Sequence, residues 1–142
     1  MRVVLDTNVL VSALLSPEGP PARIYSAWIE GRFRLLTSSE QLAELKATLA
    51  KPKLRRYVRR AQTGKLINEL GSFAEIVSEL PPVRRSPDPD DDFLLKLAEG
   101  GQADYLVTGD QGDLLLLGRH GRTKIVKATF FCESVLRRQS GR

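Results

Sequence analysis

The segment RVVLDTN (residues 2–8) is a short apolar run that ends abruptly on the carboxylate of Asp6. A second segment, YLVTGD (residues 105–110), ends in the same way on Asp110. Short runs of aliphatic and β-branched residues are typical of strands buried on both faces of a parallel sheet. Ligands of such sheets bind in the crevice beyond the carboxyl ends of the strands. We therefore expect Asp6 and Asp110 to lie together in that crevice.

A pair of neighbouring carboxylates limits the chemistry of the site. Two such groups repel each other, so they require a proton, a bound cation or a functional reason. Carboxylate oxygens are hard ligands that suit Mg²⁺ or Mn²⁺ better than zinc. One or two such ions can bind a phosphodiester, activate water and stabilise the leaving oxygen. The single histidine, His120, offers neither a His-rich site nor a Ser-His-Asp set, so the sequence favours metal-assisted hydrolysis.

Length and composition predict one domain, residues 1–142, in the cytoplasm. No apolar stretch reaches the roughly 18 residues that a membrane span requires, and no signal-peptide core is present. The single cysteine, Cys132, excludes an internal disulfide framework and a Cys-cluster zinc site; we expect it to be a small buried apolar residue. The net charge of +5 is compatible with a polyanionic partner but favours one only weakly.

Apolar runs and helical periodicity alternate along the chain. This alternation predicts an α/β fold with a parallel sheet and right-handed crossovers. Trp28, Phe33 and Phe73 are expected in the core, and His120 in a loop. Strands are predicted at 2–5, 33–37, 105–108 and 124–127, and helices at 7–15, 21–30, 39–49, 66–77, 90–99, 114–117 and 128–138.

Further acids stand at predicted helix starts, but each also has a purely structural interpretation. Asp6 could simply cap the helix that follows it. The acids of residues 88–92 would complement a helix dipole, and Asp110 and Asp113 could be turn or cap residues. Glu40 and Glu44 both lie off the leucine stripe of their helix, so periodicity does not choose between them. The joint occurrence of these acids, two of them directly after buried strands, favours a functional cluster.

Four segments, in this order, resemble the PIN-domain ribonucleases, and most closely the branch related to the VapC toxins of toxin–antitoxin systems. They are VLDTNVLVSAL (residues 4–14), TSSEQLAEL (37–45), DPDDDFLLKLA (88–98) and ADYLVTGD (103–110). The resemblance implies a three-layer α/β/α PIN-like fold with a central, mostly parallel sheet flanked by helices. It also implies an endoribonuclease that depends on one or two Mg²⁺ or Mn²⁺ ions.

The same resemblance assigns roles to particular acids. The first acid falls on Asp6, the second on Glu44 and the fourth on Asp110. The third falls on Asp91 or Asp92, and Asp91 is favoured because the next position in similar sequences is often Asn or Asp. The implied catalytic acids are thus Asp6, Glu44, Asp91, Asp92 and Asp110, of which all but Glu44 are metal ligands; Asp113 is a possible accessory, and Asn8 and Thr108 are expected to orient carboxylates or water.

A resemblance to ribonucleases also gives the basic segment KLRRYVRR (residues 53–60) a role. Its four arginines, Arg55, Arg56, Arg59 and Arg60, would face RNA phosphates; the alternative is a solvated helix face. Tyr57 could stack on a base or be half-buried. The family further implies a cognate antitoxin, which would cover the acidic pocket, and a homodimer formed through residues 114–117 or the C-terminal helix.

Two other functions are compatible with the residues. The chain could be a non-catalytic RNA-binding or partner-binding module with the same fold. It also faintly resembles the haloacid dehalogenase phosphatases, although Asn8 occupies the place of that family's second aspartate.

Overall fold

A six-stranded sheet is the centre of the fold in the part of the chain that the computed structural model describes, residues 1–109 and 112–140. Its order is β3-β2-β1-β4-β6-β5, and only the β5–β6 pair is antiparallel. The predicted α/β fold with a mostly parallel sheet is confirmed. The strands are β1 (Arg2–Leu5), β2 (Arg34–Thr37), β3 (Glu75–Ile76), β4 (Tyr105–Thr108), β5 (Arg119–His120) and β6 (Thr123–Lys127).

Helices cover both faces of the sheet. Alternation along β1 sends Val3 and Leu5 into one apolar cluster and Val4 into the other. Both clusters consist of buried residues, so β1 and β4 are buried on both faces, as their sequences predict. The helices are α1 (Thr7–Leu15), α2 (Pro20–Ile29), α3 (Ser39–Leu49), α4 (Pro52–Arg55), α5 (Arg60–Phe73), α6 (Pro89–Gly100), α7 (Asp113–Leu117), α8 (Ala128–Phe130) and α9 (Arg137–Ser140), with a π-helical segment, Phe131–Leu136, between the last two.

The central position of β1 creates the crevice. The chain passes from β1 to β2 on one side of it, and β4 later pairs with its other side. Such a reversal leaves an opening at the carboxyl ends of the strands. The Asp6 N–H donates to the Val107 carbonyl at 2.8 Å, which carries the β1–β4 pairing one residue beyond β1. The residues that follow the two strands are therefore neighbours.

The helix predicted at 66–77 begins and ends earlier than expected. Helix α5 spans Arg60–Phe73, and Glu75–Ile76 instead forms an edge strand beside β2. The Glu75 carboxylate accepts hydrogen bonds from the guanidinium groups of Arg2 and Arg34, which lower its pKa to about 2. The prediction that Phe73 lies in the core was wrong, because this last residue of α5 is 70% exposed.

His120 lies on a strand, not in a loop as predicted. Gly118 and Gly121 both have positive φ angles, 68° and 56°, which side-chain-bearing residues rarely adopt. They allow β5 and β6 to form a tight hairpin in which His120 is paired with Thr123. The imidazole is held between Glu99 Oε1 and Arg85 Nη1, each at 2.8 Å.

The predicted C-terminal helix is present, but it is α-helical only at its two ends and π-helical between them, over Phe131–Leu136. Phe131 is fully buried in the π-helical segment and makes edge-to-face contacts with Phe33 and Tyr105, with ring centroids 5.7 and 5.5 Å away. Cys132 is partly buried against the same cluster, and burial raises the pKa of its thiol. Within residues 1–109 and 112–140, none of the helices has the length and apolar character needed to cross a membrane.

Candidate active site

Asp6 is fixed between the ends of β1 and β4. Its Oδ1 accepts the backbone N–H of Asn8 at 3.1 Å, which caps α1. Its Oδ2 accepts the hydroxyl of Thr108 at 2.9 Å. Each oxygen retains a lone pair, and the side chain is partly open to solvent. The carboxylate therefore caps α1 and also has a fixed orientation at the crevice, with lone pairs available to a cation.

Glu44 projects from α3 toward Asp6. The side chain is exposed overall, yet partial burial of its carboxyl raises its pKa, and the negative charges of Asp90 and Asp6 raise it further. A hydrogen bond with Thr7 acts in the opposite direction. The sequence did not distinguish Glu44 from Glu40; the structure places the carboxyl of Glu44 within electrostatic reach of Asp6.

Gln41 is a positioning residue that the sequence reasoning missed. Its side chain is only 1% exposed, and its Nε2 donates to the Leu5 carbonyl at 2.7 Å. Its Oε1 accepts the Thr37 hydroxyl at 2.6 Å. One amide therefore joins α3 to the ends of β1 and β2. A signal was available, since Gln41 precedes the buried Leu45 by one helical turn and so faces the core.

Asp91 is the neighbour of Asp6 on α6. Burial raises its pKa, and the negative charges of Asp88, Asp6 and Asp113 add to the effect. The hydroxyl of Ser86 donates to its Oδ2 at 3.2 Å and lowers the pKa in part. The carboxyl of Asp91 therefore faces the same crevice as Asp6 and Glu44.

Asp92 has a different environment from Asp91. Its Oδ1 accepts the backbone N–H groups of Arg85 at 2.9 Å and Ser86 at 2.8 Å. These two bonds lower its pKa, and its side chain is buried. Asp92 therefore holds the segment before α6 in place, and the structure does not bring it to the other acids.

The remaining predicted site residues are Asp110, Asp113 and Asn8. Asp110 lies outside the described residues, directly after Gly109. Asp113 begins α7, is exposed and acts electrostatically on Asp91. The Asn8 side chain lines a cavity of about 250 Å³ together with Gly109.

Glu44 and Asp91 both lie within electrostatic reach of Asp6, but these three described acids do not surround a metal site on all sides. Within residues 1–109 and 112–140, no three His, Cys, Asp or Glu side chains lie close enough to enclose an ion. Mg²⁺ rarely needs such a cage, because it keeps several waters and is held by one or two carboxylates. An all-oxygen set of carboxylates, here Asp6 with Glu44 and Asp91 in electrostatic reach of it, fits a hydrated hard cation.

The cavities at the two ends of the sheet differ in chemistry. At the carboxyl ends of the strands, a cavity of about 510 Å³ runs between α3 and α6 and is lined by Glu40, Glu44, Ala47, Thr48, Lys51, Asp90 and Phe93. At the opposite ends, a cavity of about 890 Å³ contains Arg2, Arg34 and Glu75, whose charges already pair with one another. Among the predicted acids that the structure describes, Glu44 lines the first cavity.

The basic segment lies beyond the C-terminal end of α3. Arg55 ends α4, Arg60 begins α5, and Arg56 and Arg59 lie between them. All four side chains are exposed. Tyr57 in the same segment is 71% exposed, which excludes the half-buried alternative.

Sequence comparison identifies the class of protein. The profile of the PIN domain family matches residues 2–112, so the chain belongs to the PIN-domain family. PIN domains are generally metal-dependent nucleases, which are hydrolases. The chain is also 31% identical, over 118 residues, to the uncharacterized protein MJ1680 of Methanocaldococcus jannaschii. That alignment covers 82% of this chain and 75% of its relative.

Replacing Gln41 tests its role as an anchor. In Gln41→Ala the buried Leu5 carbonyl and Thr37 hydroxyl both lose a partner, which we expect to cost about 2–4 kcal/mol of unfolding free energy. Urea denaturation measures this loss. Glu40→Gln, an exposed change on the same helix, should cost less than about 1 kcal/mol. Equal effects of the two changes would show that Gln41 is not an anchor.

The electrostatics of adjacent aspartates predict opposite effects on stability. Because the pKa of Asp91 is raised in the folded state, its ionisation destabilises the fold as pH rises above the ordinary carboxyl value of about 4. In the chelator EDTA, Asp91→Asn should therefore melt above the wild type at about pH 7, with a gain that vanishes below about pH 4. Glu44→Gln should behave in the same way.

Asp92→Ala is the matched comparison. The pKa of Asp92 is lowered, so its charge stabilises the fold above the ordinary carboxyl value of about 4 and loses this effect in acid. The variant should melt below the wild type near neutral pH. Melting temperatures that move in the same direction for the Asp91 and Asp92 variants would contradict the assignment.

Proposed function

We propose that this protein is an endoribonuclease that hydrolyses RNA phosphodiester bonds with Mg²⁺ or Mn²⁺. The observation that carries the proposal is that the carboxyls of Glu44 and Asp91 both lie within electrostatic reach of Asp6, at the end of β1 in a PIN-domain sheet. Burial raises the pKa values of Glu44 and Asp91 most, and nearby negative charges, that of Asp6 among them, raise both further. Carboxylates kept in such an arrangement are typical of a functional site.

In the proposed mechanism, Asp6, Asp91 and Asp110 would hold one or two ions directly or through water. A bound ion would supply charge neutralisation at the scissile phosphate and a water of lowered pKa. Thr108 and the Asn8 N–H fix the direction of the Asp6 lone pairs, and Ser86 does the same for Asp91. Asp92 supports the segment that carries Ser86.

Glu44 is proposed to orient the attacking water. Its carboxyl stands across the crevice from Asp6, and its raised pKa brings its basicity closer to the operating pH, which favours a proton acceptor. In-line attack of water on phosphorus would form a new P–O bond and break the bond to the 3′ oxygen of one nucleotide, which leaves a 5′-phosphate on the next. One proton of the water would pass to Glu44 and then to solvent, and the released 3′ oxygen would take up a proton from solvent.

RNA is the favoured substrate because a basic, aromatic-bearing surface lies beyond α3. Arg55, Arg56, Arg59 and Arg60 present exposed guanidinium groups that attract phosphates. Tyr57 stands among them with 71% of its surface exposed, which suits stacking on an unpaired base. Exposed stacking groups of this kind favour single-stranded substrates.

Cleavage of a single-stranded RNA oligonucleotide tests the enzyme. We expect Mg²⁺- or Mn²⁺-dependent cleavage that EDTA abolishes, because the acids alone cannot neutralise the phosphate. Asp6→Asn, Asp91→Asn and Asp110→Asn should each reduce the rate by at least about 100-fold, a loss comparable to that of a transition-state contact. Asp92→Asn should retain most of the activity.

The outcomes separate the proposed enzyme from its alternatives. Metal-independent binding of RNA without any cleavage would support a non-catalytic PIN module. Turnover of small phosphate esters through a phosphorylated Asp6 would support the phosphatase alternative, which the PIN-family match already disfavours. Full loss with Asp92→Asn and none with Asp91→Asn would reverse the assignment of the third acid.

We further propose a cytoplasmic toxin role, with a cognate antitoxin and a homodimeric state. Leu116 on α7 is 84% exposed and offers an apolar contact for a second copy. Expression of the wild-type chain in a bacterial host should arrest growth, whereas Asp6→Asn should not. Normal growth with an active nuclease would contradict the toxin role, and a monomer in sedimentation would contradict the dimer.

A further inference from the structure

A concave basic site lies on the side of α3 that faces away from the acids. Helices α3, α4 and α5 meet there around a cavity of about 360 Å³. We name it the α3–α5 basic site. It is lined by Lys46, Leu49, Ala50, Arg55, Val58, Arg60 and Thr63.

The chemistry of the α3–α5 basic site is that of an anion receptor. Of the described residues that line it, Lys46, Arg55 and Arg60 are cations and none is a carboxylate. The ion pairs found in residues 1–109 and 112–140 do not involve any of these three side chains. Three cations that converge on one cavity repel each other, and a bound anion would remove that repulsion.

The floor and rim of the cavity add to its specificity. Leu49 and Val58 are buried and give it an apolar floor, while the hydroxyl of Thr63 can donate a hydrogen bond. The cavity also adjoins the first turn of α5, which carries the partial positive charge of a helix N-terminus. These features suit a compact, multiply charged oxyanion such as a phosphate.

Helix α3 relates the α3–α5 basic site to the acids. Glu44 and Lys46 are two residues apart and therefore about 200° apart around the helix, on opposite sides. Lys51 lines the cavity beside Glu44, whereas its neighbour Ala50 lines the basic one. The two cavities thus meet at the C-terminal end of α3. An RNA strand leaving the acids could pass Lys51, turn around this end and reach the basic site.

We propose that the α3–α5 basic site binds one phosphate group of the RNA substrate, a few nucleotides from the bond that is cleaved. The proposal rests on the proposed function and narrows it, because substrates too short to reach the site lose this contact. The phosphate is either an internal phosphodiester or a terminal phosphomonoester. Both present the same oxyanion chemistry to Lys46, Arg55 and Arg60.

Binding measurements on the full chain test the proposal. A fluorescent 12-nucleotide single-stranded RNA is titrated in EDTA, with anisotropy as the readout and salt as a variable. Lys46→Ala, Arg55→Ala and Arg60→Ala should each weaken binding about 5–10-fold and reduce the salt slope by about 0.7, the value for one phosphate contact on a single strand.

Lys65→Ala and Lys124→Ala are matched controls. Each removes one positive charge from an exposed side chain that lies outside the basic segment and does not line the cavity, so binding should weaken less than about 2-fold. Unfolding temperatures will check that all five variants are folded. If all five weaken binding equally, the cations act as diffuse charge and the proposal is wrong.

Two further arms identify the phosphate and separate the two proposals. If the wild type binds 5′-phosphorylated RNA more tightly than 5′-hydroxyl RNA, and Arg55→Ala loses this difference, the bound group is a terminal phosphate. If both RNAs bind equally and the affinity increases with RNA length, the bound group is an internal phosphate. If the wild type does not cleave RNA but the cavity variants bind it selectively less well, the basic site stands and the nuclease proposal fails. If the wild type cleaves RNA and the cavity variants bind RNA as well as the controls do, the basic-site proposal is wrong and the nuclease proposal stands.

Discussion

The placement of the Asp6 carboxylate is the constraint on which the rest of the site depends. Its backbone N–H continues the β1–β4 pairing, one oxygen caps α1, and the other accepts the Thr108 hydroxyl. Sheet register, helix start and carboxylate direction are therefore fixed by one residue. A shift in the β1–β4 register would move the acid away from Thr108 and change the residue at which α1 begins. The position of the site is thus a consequence of how the sheet is paired.

The acids around Asp6 oppose folding, and other polar groups compensate for them. Glu44 and Asp91 lie in partly buried positions near the negative charge of Asp6, which favour their protonated forms. Gln41 and Asp92, by contrast, have hydrogen-bond partners for their buried oxygens and fix the segments that carry the acids. The unfavourable positions are thus those of the functional groups Glu44 and Asp91, whereas Gln41 and Asp92, three residues and one residue away, are hydrogen-bonded. Such a distribution is expected where function and stability compete.

The sequence predicted what local patterns determine and missed what distant partners determine. Strands β1 and β4 and helix α1 follow from short apolar runs and a cap. Strand β3 pairs with β2, and its Glu75 forms ion pairs with Arg2 and Arg34, which are too far away in the sequence for a local pattern to predict. Asp91 and Asp92 are adjacent in sequence and chemically identical. They differ in the structure because Asp92 accepts the backbone N–H groups of Arg85 and Ser86, whereas Asp91 accepts the Ser86 hydroxyl and lies near the charge of Asp6. The path of the segment before α6 decides this, and the sequence pattern does not predict that path.

Helix α3 shows how one anchor can set two surfaces. Gln41 binds the ends of β1 and β2, and this contact fixes the rotation of the helix about its own axis. With that rotation fixed, Glu44 must face the crevice, and Lys46, about 200° further around, must face the opposite cavity. In the sequence the basic residues form one run with a single role. In the fold, Arg55 and Arg60 line a concave site together with Lys46. Lys46 can do so because α3, the helix that carries Glu44 on one side, carries Lys46 on the other.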